Sequence, residues 1–424
     1  MARVGIRKTA LSLAVAGAFA GGASQAHASA FALIEQSASG LGNSFAGAAA
    51  AAEDASTIFY NPAGMSLLPG GMQVSAGLAL INLSAKFSDS GSIASTSPAP
   101  RPLGNDGGDA GGLSAVPNVY FAMDVAPNWK VGVGVSVPFG LKTEYDPAWI
   151  GRFQAIKSEI STLNVNPSVS YKLDDKMSFG FGLNYQRIDA EFTKAVNLGV
   201  AEEIADIKAK DNSGWGYNLG AMFQLAPDTR LGVSYRSSIK YHLTGTATFS
   251  QNNPVASADA SADIKMPDSA SIAVQHRLNP DWTLLADVSR TGWSKIKDLT
   301  INLDTGGQLS STPENFKNTW RVGVGAVHRY NDAWSMKMGL AYDQTPVNDT
   351  DRTARLPDNN RLWLSFGGQY KLSKDGTLDL GYAHLFIKDA PINQNGGNAN
   401  ANGQLVGNYK GSVDIFGAQF AYRF

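Results

Sequence analysis

The chain has 424 residues, with 35 Lys and Arg against 36 Asp and Glu, a formal net charge of −1. That balance offers no electrostatic case for a nucleic-acid partner or a polybasic membrane contact. The absence of cysteine excludes a disulfide framework and thiolate metal sites.

Met1 to Ala28 carries Arg3, Arg7 and Lys8, then an apolar run from Ala10 to Ala20, then Ala26-His27-Ala28. This is the layout of a secretory signal, expected to be cleaved after Ala28. The run is too short and too rich in Ala and Gly to cross a bilayer, which takes roughly 20 apolar residues. Ser29 to Gly70 then reads neither as a strand nor as a good helix. Small residues dominate Gly40 to Ala52, and the breaker triplet Asn61-Pro62-Ala63 follows. Phe31, Phe45 and Tyr60 are spaced too widely to form a core. Residues 29–70 are expected to be a plug, or hatch, packed inside something larger.

From residue 71 to 424 the pattern has a period of two. Trp334, Met336, Met338, Leu340 and Tyr342 alternate with Ser335, Lys337, Gly339, Ala341 and Asp343. The same dyad recurs through Met177 to Gln186, Asp281 to Val288 and Arg321 to Tyr330. A soluble sandwich alternates too, but its outward face is polar, whereas these strands are greasy on one face and bounded by Trp or Tyr. Short turns fall at Ala126-Pro127-Asn128, Asp174-Asp175, Ala226-Pro227-Asp228, Asn279-Pro280-Asp281, Asn331-Asp332 and Lys374-Asp375-Gly376. Long connections alternate with them, among them Ser88 to Gly112, Phe139 to Glu159 and Thr193 to Asn212. The dyads from Met72 to Phe424 number about fourteen, an even count as closure requires. The expected fold is all-β, a transmembrane antiparallel up-and-down barrel with the hatch in its lumen. The last dyad ends on Phe424 and looks like the signal by which outer-membrane proteins reach the barrel-assembly machinery.

Two outer loops carry apolar residues at helical spacing. Asp146 to Ile160 places Trp149, Ile150, Phe153 and Ile156 on a predicted helix, and Ala201 to Lys210 places Ile204 and Ile207 on a second. Two greasy faces would form a surface capture groove; packing on the barrel rim is the alternative. For catalysis there is little material. His27 leaves with the signal, and His242, His276, His328 and His384 lie on separate strands without a close Ser partner or metal pattern. No enzyme activity, cofactor or metal is expected.

The segment Ser39 to Gly47, SGLGNSFAG, and the triplet Asn61-Pro62-Ala63 are joined further on by Val116-Pro117-Asn118, Gly292-Trp293-Ser294-Lys295, Phe316 to Arg321, Leu356-Pro357-Asp358 and Arg361 to Ser365. On these blocks, in this order, nearly the whole mature chain resembles the FadL family of outer-membrane transporters for long-chain fatty acids and other hydrophobic compounds. The resemblance implies a route. Ligand is captured at the outer loops, moves to a greasy pocket and leaves sideways into the membrane through an inward kink of the third strand. An apolar path keeps the acyl chain out of water, at roughly 0.8 kcal/mol per buried CH₂.

Here the corresponding strand is Val131 to Gly140. Pro138 lacks an N–H, and Gly132, Gly134 and Gly140 weaken the strand; a kink and an ordinary Gly-rich strand end both fit. The resemblance pairs Asn61-Pro62-Ala63 with this strand as two halves of a lateral gate. It also makes Phe31 the aromatic that reaches into the pocket. Arg187 and Lys317 are the candidates to meet a ligand carboxylate, since a buried carboxylate needs a partner; solvated charge ladders are the alternative. The implied partners are a long-chain fatty acid or other hydrophobic ligand, outer-membrane lipid and the barrel-assembly machinery, with the chain a monomer. Neutral aromatic or other hydrocarbons, or general diffusion through a porin, remain alternative readings.

Overall fold

The computed structural model describes residues 30–250, 257–304, 306–395 and 399–424; the expected signal, residues 1–28, lies outside them. Among the described residues, twenty β-segments from Met72 to Arg423 join end to end into fourteen staves of one closed antiparallel barrel. The first stave, Met72–Asp89, pairs with the last, Leu405–Arg423, from Gln73 opposite Arg423 to Asp89 opposite Gly407. Closure satisfies the backbone groups in lipid without leaving an edge.

The alternation decides which face meets lipid. Trp334, Met336, Met338, Leu340 and Tyr342 are each 44–49 % exposed on the outer face, while Lys337, Ala341 and Asp343 are buried in the lumen. Trp129 against Tyr171 and Trp334 against Tyr370 mark the rim beside the tight turns. Tyr185 against Trp215 marks the opposite rim. All six expected short turns join consecutive staves.

The outer loops depart from expectation. Glu202–Ala226 is one long strand paired with Met177–Asn197, so the helix expected over Ala201 to Lys210 is absent and the long connection shrinks to residues 198–201. Ile204 and Ile207, three apart, point to opposite faces of that strand: Ile204 is exposed and Ile207 buried. The helix expected over Asp146 to Ile160 is also absent. Turns wrap the Trp149 indole, whose Nε1 donates to the Ala155 carbonyl at 2.7 Å, and the strand Lys157–Lys172 begins directly afterwards.

Several staves are interrupted. The third consists of Trp129–Ser136 and Gly140–Glu144, the seventh of Thr229–Arg236 and Ile239–Phe249, and the eighth of Ala258–Met266 and Ser269–Arg277. The ninth consists of Trp282–Thr291 and Asp298–Leu303, and the tenth of Gln308–Pro313 and Thr319–Arg329. The breaks in the ninth and tenth bring Trp293 and Phe316 into a buried apolar cluster.

Residues 30–70 fill the lumen with short turns of helix, Leu41–Asn43, Ala48–Ala51, Thr57–Tyr60 and Pro62–Leu67. Its apolar side chains pack on the wall, Leu33, Leu41 and Phe45 in a cluster with Ile81, Trp363 and Ile415, and Ile58 and Met65 with Tyr120 and Ala122; polar contacts tie it further. Ala38 N donates to Gln419 Oε1 at 3.0 Å, and Gln419 Nε2 donates to Asp54 Oδ2 at 2.8 Å. The ammonium of Lys337 reaches Ser39 O at 2.8 Å, Glu53 at 2.6 Å and Asp379 at 3.2 Å.

Candidate functional site

The third stave is interrupted within Val131 to Gly140, between Ser136 and Gly140. Its two segments both pair with Lys157–Lys172, but residues 137–139 lie opposite only Thr162 and Leu163, between the pairs Ser136 with Asn164 and Gly140 with Ser161. Three residues against two make a bulge at Pro138, which has no N–H for the ladder. On its other side the third stave pairs with Gly112–Ala126 no higher than Val119 opposite Val135. The second stave nevertheless continues alongside the first up to Gly112 opposite Leu83. Among the described residues, no ladder joins the second and third staves above Val119.

The N-terminal segment occupies this gap. Ala32 forms a bridge with Phe139, Leu33 N donates to Pro138 O at 2.8 Å and Gly140 N to Phe31 O at 2.8 Å. The Gln36 side chain donates to Val137 O at 2.7 Å and accepts from Val137 N at 3.1 Å. Residues 31–36, not Asn61-Pro62-Ala63, therefore face the kink. The triplet sits elsewhere. Asn61 Nδ2 donates to Ala49 O at 2.7 Å, Ala221 O at 3.1 Å and Val233 O at 3.3 Å. A Cβ on Gly180 would lie 2.8 Å from Ala63 Cα, and one on Gly220 would collide with the Asn61 amide oxygen. The triplet is thus seated on the fifth to seventh staves. Gly132 instead receives Ile58 and Met65 of the hatch, Gly134 lies against Tyr120, and Val131 shares the outward face of exposed Val133.

Above the bulge lies a buried apolar cluster. Phe31 stands edge-on to Trp293, with centroids 4.7 Å apart and planes at 78°, and 6.3 Å from Phe139. Phe316 closes on Trp293 at 6.1 Å. Ile160, Ile188 and Phe192 continue the cluster into an outer groove bordered by Ile207, Leu299 and Ile301. Phe31 packs in the buried cluster and Ile207 borders the outer groove; the remaining capture candidates do neither. Trp149, Phe153 and Ile156 are buried in loop cores, with Trp149 stacked 3.9 Å from Tyr145, and Ile150 packs against that core. Ile204 faces outward and does not line the groove.

Neither basic candidate reaches the cluster. Arg187 follows Phe181, Leu183 and Tyr185 on the outward face, where it is half exposed and pairs with Asp189 at 2.9 Å. Lys317 is exposed, and its neighbour Phe316 takes the inward position. The parity that assigned the dyads to lipid also assigns Arg187 outward.

Two other cations are better placed. Arg355 lies with Cζ 5.1 Å over the Phe192 ring, and its Nη1 donates to Ser158 Oγ at 2.9 Å and Lys157 O at 3.2 Å. Lys194 lies on the face of Phe192 and Ala190, within electrostatic reach of Arg355. Neither makes an ion pair among the described residues. Glu314, in the loop of the tenth stave, is the nearby acid. Burial pushes its carboxyl up to about 8, against the pull of Arg355, so at neutral pH it is largely uncharged. The sequence offered little signal for Arg355, which sits in the long connection before Arg361. Arg355 and Lys194 thus stand beside Phe192, at the edge of the apolar cluster and its outer groove.

The chain is 27 % identical over 459 residues to the long-chain fatty acid transport protein of Escherichia coli strain K12, with 98 % of each chain covered. It is 28 % identical over 400 residues to outer membrane protein P1 of Haemophilus influenzae, covering 85 % of this chain and 86 % of that one. In fold it is similar to a Pseudomonas aeruginosa FadL homologue, with TM-score 0.86 and 24 % identity over 93 % of this chain and 100 % of that one. The Pseudomonas putida toluene transporter TodX has the same fold, with TM-score 0.69 and 18 % identity over 94 % of this chain and 100 % of that one. The model of the outer membrane protein transport family (OMPP1/FadL/TodX) matches residues 19–424, and the chain belongs to that outer-membrane family.

Proposed function

We propose that this protein takes up long-chain fatty acids across the outer membrane. The acid enters the groove at Ile207 and Ile301, rests beside Phe31 and Trp293, and leaves sideways into the bilayer at the break of the third stave. Residues 31–36 are the movable side of that exit, and Asn61-Pro62-Ala63 is the fixed seat of the hatch. In this reading residues 1–28 are a cleaved signal, 29–70 the hatch and 71–424 the barrel, which works as a monomer after assembly through its Phe424 end.

One observation carries the choice of substrate: among the described residues, Arg355 and Lys194 stand beside Phe192 at the edge of the apolar cluster without a carboxylate ion-pair partner. Desolvated cations are costly unless paired, and a ligand carboxylate offsets that cost whereas a neutral hydrocarbon does not. The fatty acid transport protein of Escherichia coli, 27 % identical, supports the same substrate. The test is uptake of oleate and toluene by cells producing the Arg355→Gln/Lys194→Gln protein. Oleate uptake is expected to fall at least about tenfold with the loss of two charge-assisted contacts. Unchanged oleate uptake, or equal loss for both compounds, overturns the reading. Steady large ion conductance of the intact protein in planar bilayers would point to an open porin instead.

A further inference from the structure

Below the Phe31 cluster lies a cavity of about 180 Å³ between the hatch and the wall. Ser234, Ser269 and Ser271 line one side, Leu33 and Ile34 the other, and it reaches Pro138 at the break of the third stave. Arg236 enters it from the end of the segment Thr229–Arg236.

The partners of Arg236 are all neutral. Nη1 donates to the Asn184 amide oxygen, Nη2 donates to Phe59 O at 2.9 Å, and Cζ lies 4.4 Å over the Phe59 ring. Asn184 belongs to an amide network, accepting from Asn164 at 3.1 Å and donating to Asn218 at 3.0 Å. No ion pair is made by Arg236 among the described residues. The acids that border the cavity, Asp287 and Asp343, belong to the ninth and eleventh staves, and Asp287 is engaged by Arg321 at 3.4 Å. A lumenal guanidinium held only by neutral oxygens keeps its full charge and its demand for a counter-ion.

We infer that Arg236 is an inner headgroup site, which holds the carboxylate of an acyl ligand while its tail lies toward Pro138 and the exit. The inference rests on the fatty-acid reading above and adds a second, separate station to it. Neutral partners suit a transient site, because an internal carboxylate would compete with the ligand for the same guanidinium.

The test is calorimetric titration of the purified full-length protein with dodecanoate and with dodecanol, which differ only in the head. The native protein is expected to bind two dodecanoates, and Arg236→Gln only one with high affinity, the inner site weakening about tenfold or more. Dodecanol binding should not change. Loss of dodecanoate and dodecanol alike shows that Arg236 merely holds Phe59 and the hatch, and retention of both dodecanoates removes the site; either overturns the proposal. If Arg236→Gln does not fold, Asn184→Asp leaves Arg236 in place and supplies an internal carboxylate. It should abolish the inner dodecanoate site alone, and its failure to do so overturns the proposal equally. Arg355→Gln/Lys194→Gln should remove only the outer site, so failure of the outer reading shows in a different variant.

Discussion

The amide of Leu33 donates to the carbonyl oxygen of Pro138 across 2.8 Å, so the N-terminal segment supplies the ladder bond that the second stave does not. With Gly140 N bonded to Phe31 O at 2.8 Å, this makes a two-bond patch of antiparallel sheet across the opening. Such a patch can be withdrawn at small cost, since each backbone bond contributes only about 1 kcal/mol net.

Ala32 and Phe139 are opposed in this patch as a non-hydrogen-bonded pair, whose Cα atoms ordinarily lie about 4.5 Å apart, within disulfide range. The chain has no cysteine of its own. Ala32→Cys/Phe139→Cys should therefore form a single bridge that locks the segment against the bulge. Oleate uptake is expected to be blocked when the pair is oxidised and restored by reductant in the same protein. Equal uptake in both states would show that residues 31–36 need not move.

Asn61 is buried, and its side-chain amide serves three carbonyls on the hatch and the wall. Asn61→Ala leaves those acceptors short of donors, at a cost of about 1–3 kcal/mol. The expected outcome is a folded barrel with a looser hatch, measured as higher single-channel conductance than the native protein in planar bilayers. Native conductance in this variant would assign the seating to other contacts.

Much of the barrel was legible because period two survives in every stave that must meet lipid on one face and lumen on the other. Trp334 to Tyr342 needed no tertiary information. The outer loops were illegible for the same reason: Ile204 and Ile207 fit a helix by spacing, and only the pairing of Ile207 with Phe192 reveals a strand that runs on beyond the membrane. Phe31 draws its expected role from its place in the chain, and the fold packs it against Trp293. Trp293 and Phe316 lay within recognised blocks, but their inward turn depends on breaks in the ninth and tenth staves. Arg187 was misplaced although its own dyad carried the information, since Tyr185 and Arg187 share a face. Arg355 sits in a loop without periodicity, and only its approach to Phe192 marks it. Arg187→Ala and Lys317→Ala are accordingly expected to leave oleate uptake at the native level, and a severalfold loss in either would return that residue to the ligand path.

Lys337 ties the hatch to the wall through Ser39, Glu53 and Asp379. Lys337→Met strands Asp379, which is 1 % exposed, and removing one partner of a buried pair costs about 3–5 kcal/mol. Lys337→Met/Asp379→Leu should recover most of that loss, because the fully buried carboxylate is gone and only Glu53, which is partly exposed, is left unpaired. Thermal melting of the three proteins checks the order: the single variant lowest, the double variant near the native protein. A single variant as stable as the double would mean that the pair does not hold the hatch.

On the fatty-acid reading a pH dependence is expected through Glu314, whose carboxyl interacts with Arg355. Its carboxyl is pushed by burial from 4.5 up to about 8, with Arg355 opposing the shift and Asp351 adding to it. Between those values the folded state keeps a proton that the unfolded state has lost. The stability tied to this group is therefore complete below about 4.5 and is lost as pH rises through about 8. The same ionisation acts on the ligand. While Glu314 is neutral, Arg355 is left to the fatty-acid head; once Glu314 is charged, it competes for that guanidinium. Dodecanoate affinity at the outer site is expected to fall severalfold as pH rises from about 7 to about 9, where the ligand itself stays ionised. Glu314→Gln removes the competitor and should keep more of the affinity at the alkaline end. Titrations of both proteins across that range decide the matter: superimposable profiles would detach Glu314 from the ligand, whereas a shallower fall in the variant places it beside the carboxylate that Arg355 receives.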